Sequence, residues 1–137
     1  MRLGGPVFSK PDTPESWADA VAAEGHKAAY CPIGPQAGRD TIQAYATAAR
    51  KADIVIAKVG AWSNPLSPDS PTTKTAVAKC KASLALADEI GARCCVNIAG
   101  SRGKKWDGPD AADLTDDTFD RIVVVVRDII DAVKPKR

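Results

Sequence analysis

The sequence has few of the residues on which metal sites, redox sites and nucleic-acid surfaces depend. It has one histidine, His26, and its four cysteines (Cys31, Cys80, Cys94 and Cys95) form no C-x-x-C pair. Aromatic residues make up only 5% of the chain, which leaves little surface for stacking single-stranded nucleic acid. We therefore expect the cysteines to be buried, reduced thiols rather than metal ligands.

Charge, hydropathy and glycine spacing argue against three further classes of protein. The formal net charge is only +2, so the overall charge does not favour nucleic acid or membranes as partners. No apolar run is long enough to span a bilayer, and the N-terminus lacks the pattern of a secretory signal. No strand is followed by G-x-G-x-x-G or a P-loop. These features predict a cytoplasmic protein without a nucleic-acid or membrane partner.

What the sequence does contain is a regular alternation of strand and helix patterns. Strands are predicted at 2–8, 27–33, 53–59 and 93–99, and an amphipathic helix follows each of them. Such an order predicts a parallel sheet with right-handed crossovers. The strands start roughly 25 to 40 residues apart, which suits the about 31 residues per unit of an eight-unit barrel. The alternative is a small flavodoxin-like open sheet.

Local signals indicate where the helices begin and end. Thr13 and Pro14 predict the start of the first helix, and Asp40 and Thr115 are the predicted N-caps of the second and fourth. Gly91 is placed to end the third. The fourth helix is predicted to present one apolar face, made of Phe119, Ile122, Val123, Val126, Ile129, Ile130 and Val133.

Four segments resemble the xylose-isomerase-like TIM-barrel superfamily, and within it the sugar phosphate isomerase/epimerase group. They are KVGAWSNPLSPD (58–69), LALADEIGARCCVNIAGSRG (84–103), KWDGP (105–109) and LTDDTFDRIV...IIDAVKP (114–135), with looser matches at 4–8 and 28–33. The resemblance implies an α/β fold, the parallel (βα)4 half of a TIM-type barrel, as a single domain over 1–137. This would be the N-terminal half of an eight-unit barrel.

The resemblance also implies a divalent metal (manganese, magnesium or zinc) in the full-length family. The family's ligands are Glu, Asp, His and Glu side chains on later strands, and no residue of this chain matches them. We therefore expect no catalytic residue, no metal ligand and no bound metal in this chain alone. Metal-assisted proton or hydride transfer at a carbohydrate carbonyl is expected of the full-length enzyme, and this half alone is predicted to be inactive.

The loops after the third and fourth strands are the predicted binding site, because parallel α/β folds carry their sites beyond the carboxyl ends of strands. Five residues there are predicted to bind a carbohydrate or sugar phosphate: Trp62, Asn97, Ser101, Arg102 and Trp106. Each also has a structural interpretation. The indoles would be lid residues, the amide a hydrogen-bonded group inside the barrel, and the basic loop a solvated turn.

A non-enzymatic function is the alternative, either a self-associating half-barrel or a small-molecule binding module. A sheet of four strands has two exposed edges, and exposed edges pair with other chains. Besides its small-molecule ligand, the chain is therefore expected to bind a second copy, as a homo-oligomer, or a C-terminal half.

Overall fold

The computed structural model describes residues 1–136, and Arg137, the last residue of the predicted domain, lies outside them. Strands and helices alternate along the chain as predicted. The elements are β1 (Gly4–Gly5), α1 (Pro14–Ala23), β2 (Ala28–Tyr30), α2 (Arg39–Lys51), β3 (Val55–Gly60), α3 (Ser70–Ile90), β4 (Cys94–Val96), a 3₁₀ helix (Ala111–Leu114) and α4 (Asp116–Val133). Within the described residues, no helix has both the length and the apolar character needed to cross a bilayer.

The four strands form one sheet in the order β1-β2-β3-β4. The β1–β2 and β2–β3 pairs are parallel. Beside β3, the Arg93 N–H donates to the Ile56 carbonyl at 3.0 Å and the Ala61 N–H donates to the Val96 carbonyl at 2.8 Å, so β4 runs the same way. This sequential order differs from the 2-1-3-4-5 order of flavodoxin-like sheets. The predicted parallel (βα)4 half of a TIM-type barrel is confirmed, and the flavodoxin-like alternative is wrong.

Each strand is shorter than predicted, and the difference is largest for β1. Its backbone approaches β2 so closely that a Cβ on Gly4 would lie 2.3 Å from the Ala28 carbonyl oxygen. Only glycine fits that approach. Pro6 follows directly, and because proline has no N–H it cannot continue the ladder.

By its internal contacts the chain divides into two compact units. The first comprises Met1–Gly60 and Leu86–Cys95, and the second comprises Ala61–Ala85 and the chain from Val96 onward. The assignment of 1–137 to a single domain stays a prediction.

The first unit contains the main apolar core, in which α1 packs on α2. Trp17 meets Tyr45 edge to face, with ring centroids 5.8 Å apart and both side chains buried. The predicted cap of α1 is confirmed, because the Thr13 side chain accepts a hydrogen bond from the Ser16 N–H at 3.1 Å. The predicted cap of α2 is wrong. That helix begins after Gly38, and Asp40 lies in its first turn, where its charge faces the positive end of the helix.

In the second unit, α4 begins after Thr115 as predicted, and the Thr115 side chain accepts from the Thr118 N–H. Its apolar face is only partly covered. Ile129 is buried, whereas Phe119 and Ile130 are exposed. The predicted burial of the whole face is therefore wrong, because neighbouring elements pack against one side of the helix alone.

All four cysteines are free thiols. Cys80 is buried and Cys31 is partly buried, and burial raises the pKa of the Cys31 thiol. Cys94 is exposed, so the expectation of buried thiols is wrong at that position.

Candidate functional site

The second unit contains a cleft of about 820 Å³. It is lined by the segment that follows β3, by the first half of α3 and by the loop that follows β4. Two predicted residues, Trp62 and Trp106, line it with about half of each side chain exposed (50% and 51%). The volume lies within the roughly 300–1,000 Å³ that is usual for small-molecule sites.

Sequence analysis missed a polar stripe of α3 that lines the same cleft. Thr72, Thr75 and Lys79 follow one another at intervals of three and four residues, which places them on one face of the helix. The Lys79 ammonium donates to the Trp62 carbonyl oxygen at 2.9 Å, which anchors the lysine beside the indole. Lys104 adds a second positive charge to the lining. The helical spacing of the stripe was the signal in the sequence that could have identified it.

Asp69 lies in the lining at the start of α3 and is committed to the helix end. Its carboxylate accepts from the Thr72 N–H at 2.9 Å and from the Thr72 hydroxyl. These two hydrogen bonds lower the pKa of Asp69, because they favour the ionised form. The carboxylate therefore acts as a charged helix cap and is a poor proton acceptor at neutral pH.

Asn64 links the loop after β3 to the loop after β4. Its side-chain Nδ2 donates to the Ser101 carbonyl at 2.8 Å, and its Oδ1 accepts from the Ser101 N–H at 2.9 Å and from the Leu66 N–H at 3.1 Å. Gly100, at φ +101°, permits this approach, since a Cβ there would lie 2.5 Å from the Asn64 Oδ1. The sequence did not single out Asn64 as a site residue, and its partner is 37 positions away.

Ser101 and Arg102, two predicted binding residues, are engaged with acidic side chains. The Ser101 hydroxyl and the Arg102 N–H each donate to the Asp113 carboxylate at 2.7 Å, and in that order they lower the pKa of Asp113. The Arg102 guanidinium pairs with Asp117 and reaches the Thr118 hydroxyl at 3.3 Å. These contacts hold the loop against the 3₁₀ helix and the start of α4. Neither residue lines the cleft, and their binding role stays a prediction.

Asn97 lies one contact behind the cleft. Its Oδ1 accepts from the Cys80 thiol at 3.3 Å, and the Cys80 sulfur is 3.5 Å from the hydroxyl of Ser63, which lines the cleft. The structure therefore brings Trp62 and Trp106 to the cleft and places Asn97 beneath its lining. A sugar contact at Asn97 stays a prediction.

The described residues do not fit the divalent metal that the resemblance implies. Across residues 1–136 there is no group of three or more His, Cys, Asp or Glu side chains placed to hold a metal ion. The cleft offers Asp69, whose carboxylate already accepts two hydrogen bonds. That this chain alone binds no metal stays a prediction.

Two solved structures share this architecture. A putative xylose isomerase from Rhodospirillum rubrum matches with a TM-score of 0.64 and 20% identity, over 94% of this chain and 47% of that chain. The 3-keto-D-glucoside 4-epimerase from E. coli matches with a TM-score of 0.69 and 12% identity, over 98% of this chain and 53% of that chain. No protein-family model and no curated protein sequence matches the chain.

The chain thus spans about half the length of both solved structures. At 20% and 12% identity the likeness establishes the fold rather than the activity. One neighbour is described as a xylose isomerase and the other as a sugar epimerase, which supports the general family that the sequence resembles. The chain has the fold of one half of a xylose-isomerase-like barrel.

Proposed function

We propose that this chain is the carbohydrate-binding half of a sugar or sugar phosphate isomerase/epimerase, and that it is inactive on its own. The observation that supports the proposal is the cleft of about 820 Å³ with two half-exposed indoles, Trp62 and Trp106. It occurs in a fold whose solved neighbours include a sugar epimerase.

The chemistry of the lining suits a sugar. Indole rings offer flat apolar walls against which the C–H face of a sugar ring packs, and each indole also carries one N–H donor. On α3, the hydroxyls of Thr72 and Thr75 can donate to and accept from sugar hydroxyls, and the Lys79 ammonium can donate. A few polar groups on a largely apolar cleft give orientation and specificity.

The reaction belongs to the full-length enzyme in this proposal. There, a divalent metal would supply Lewis-acid chemistry at substrate oxygens, and carboxylates outside the described residues would move the proton. The proposal includes a role in carbohydrate metabolism in the cytoplasm, where reducing conditions keep free cysteines such as these four as thiols.

Calorimetric titration with D-xylose, D-glucose and D-glucose 6-phosphate tests the binding step. We expect at least one of these probes to bind, and we expect W62A and W106A each to weaken that binding about tenfold or more. F8A is the matched control, because Phe8 is an exposed aromatic residue of the first unit, outside the cleft. Binding that survives both tryptophan substitutions, or no binding of any probe, would contradict the proposal.

An activity assay tests the second part. The purified chain, supplied with Mn²⁺, Mg²⁺ or Zn²⁺, is expected to produce no isomerised or epimerised sugar. Metal-dependent turnover by the 137-residue chain would show that the half-barrel is itself an enzyme.

The second candidate is a non-enzymatic small-molecule binding module. Every residue that lines the cleft belongs to the second unit, so this unit can form the site by itself. Sugar titrations with Mn²⁺ and with a chelator discriminate the two functions. A binding module gives the same affinity in both, whereas tighter binding with Mn²⁺ favours the isomerase.

A further inference from the structure

An exposed apolar stripe runs along α4. It is made of Phe119, Val123, Val126 and Ile130, spaced by four, three and four residues. Phe119 is 65% exposed, Val126 39% and Ile130 46%. Apolar residues that alternate at three and four positions form the seam along which one helix packs against another.

The stripe lies beside the buried side of the helix rather than on it. At 100° per residue its four members fall within an arc of about 60°, next to the arc that carries the buried Ile129 and Thr118. The intramolecular packing of α4 is therefore already made by other residues. A second helix can cover the stripe without displacing any contact of the chain.

We propose that the stripe binds the α4 helix of a second copy of this chain, in antiparallel orientation. The charges beside the stripe select this partner. One flank of the stripe carries five exposed charged residues, which in chain order are Asp116, Asp120, Arg127, Asp131 and Lys134.

Orientation decides whether these charges attract or repel. A parallel pair in register sets each of the five flank residues beside its own copy, so all five contacts repel. An antiparallel pair centred between Val123 and Val126 sets Asp116 of one copy beside Lys134 of the other, which is attractive. In the same register Phe119 faces Ile130. One like-charge contact remains, between Asp120 and Asp131, and Arg127 of the partner lies within one turn of Asp120 to offset it.

The helix dipoles favour the same arrangement. The first turn of α4 is acidic, with Asp116 and Asp117, and Lys134 follows its last turn. An antiparallel copy sets the negative C-terminal end of one helix beside the positive N-terminal end of the other. Because four side chains per copy cover less than the roughly 800 Å² per partner of a standard interface, we expect a weak dimer that forms with concentration.

Sedimentation equilibrium of the full chain, from about 10 μM to about 1 mM, tests the interface with two substitutions on the same helix. V126K places a charge in the stripe and is expected to leave a monomer. V124K is the matched control, because Val124 is 67% exposed but lies outside the stripe, and it is expected to dimerise like the unmodified chain. Circular dichroism spectra check that both variants are folded.

Charge reversal tests the antiparallel register. D116K and K134D each replace the attractive contact by a repulsive one, so each variant alone is expected to dimerise at least about fivefold more weakly. An equimolar mixture of the two is expected to regain dimer, since both cross-copy pairs become attractive again. An unmodified chain that stays monomeric, a dimer insensitive to V126K, or a mixture no stronger than its components overturns the proposal.

Discussion

The Asn64 side chain and the Ser101 backbone form a reciprocal pair of hydrogen bonds. Nδ2 donates to the Ser101 carbonyl at 2.8 Å, and Oδ1 accepts from the Ser101 N–H at 2.9 Å. The amide is buried, so neither half of this pair can be replaced by water without moving the loops. The shape of the tryptophan-lined cleft therefore depends on a residue that touches the cleft and also joins its two loops.

The first prediction concerns the loss of the donor in that pair. In N64D the side chain has no N–H₂ group, and a carboxylate oxygen faces the Ser101 carbonyl. We expect the free energy of unfolding to fall by about 1–3 kcal/mol, the usual cost of a buried group left unsatisfied. Urea denaturation followed by circular dichroism measures it. N97D is the control, because the Oδ1 of Asn97 accepts a weak thiol hydrogen bond and the side chain is only partly buried. Equal losses in the two variants would show that the pairing with Ser101 has no special weight.

The second prediction separates steric conflict from backbone strain at glycine. Gly100 and Gly25 both have positive φ, +101° and +71°, but a Cβ on Gly25 meets nothing within 4 Å. G25A is expected to cost about 1–2 kcal/mol of left-handed strain. G100A adds a contact of 2.5 Å with the Asn64 Oδ1 and is expected to cost more. Thermal unfolding of both variants gives the comparison, and a G100A protein as stable as G25A would contradict it.

The sequence predicted the order of elements because this order depends on local signals. Hydrophobic periodicity and the Thr13 and Thr115 caps act within a few residues, and the structure has both caps. Asp40 misled because it suits an N-cap and a first turn equally well. The face of α4 was correctly identified as apolar, but its exposure depends on what packs beside it, which periodicity does not record.

The site was predictable in part for the same reason. Trp62 and Trp106 follow strand ends, and chain position alone brought them to the correct region. Ser101 and Arg102 follow a strand as well, yet their partners Asp113 and Asp117 lie 11 to 15 positions further along the chain. Because such pairings are fixed by tertiary structure, the sequence could not tell a ligand-binding side chain from one that holds a loop in place.

The third prediction is a pH dependence that originates in the second unit. The Ser101 hydroxyl and the Arg102 N–H lower the pKa of Asp113 in the folded chain. A carboxyl group with a lowered folded pKa adds stability that is fully present above its unfolded pKa of about 3.9 and is lost as the pH falls through the folded pKa. We expect D113N to lose stability at pH 7 and to converge with the unmodified chain toward pH 3. Urea midpoints measured across that range test it, and parallel curves for the two proteins would contradict it.

The last prediction concerns the charge of the ligand. Lys79 and Lys104 bring two ammonium groups to the lining of the cleft, and its carboxylate, Asp69, is already bound to Thr72. A phosphorylated sugar should therefore gain affinity from the two lysines, and a neutral sugar should gain much less. K104A is expected to weaken D-glucose 6-phosphate about threefold to tenfold and D-glucose hardly at all, whereas K105A, one position further along, is the control because Lys105 does not line the cleft. Added salt should weaken phosphate binding in the unmodified chain and in K105A more than in K104A, since the screened charge is then already missing. Calorimetry at two ionic strengths measures both effects. Equal losses for the neutral and the phosphorylated sugar would instead mean that Lys104 shapes the cleft without reading the charge of its ligand.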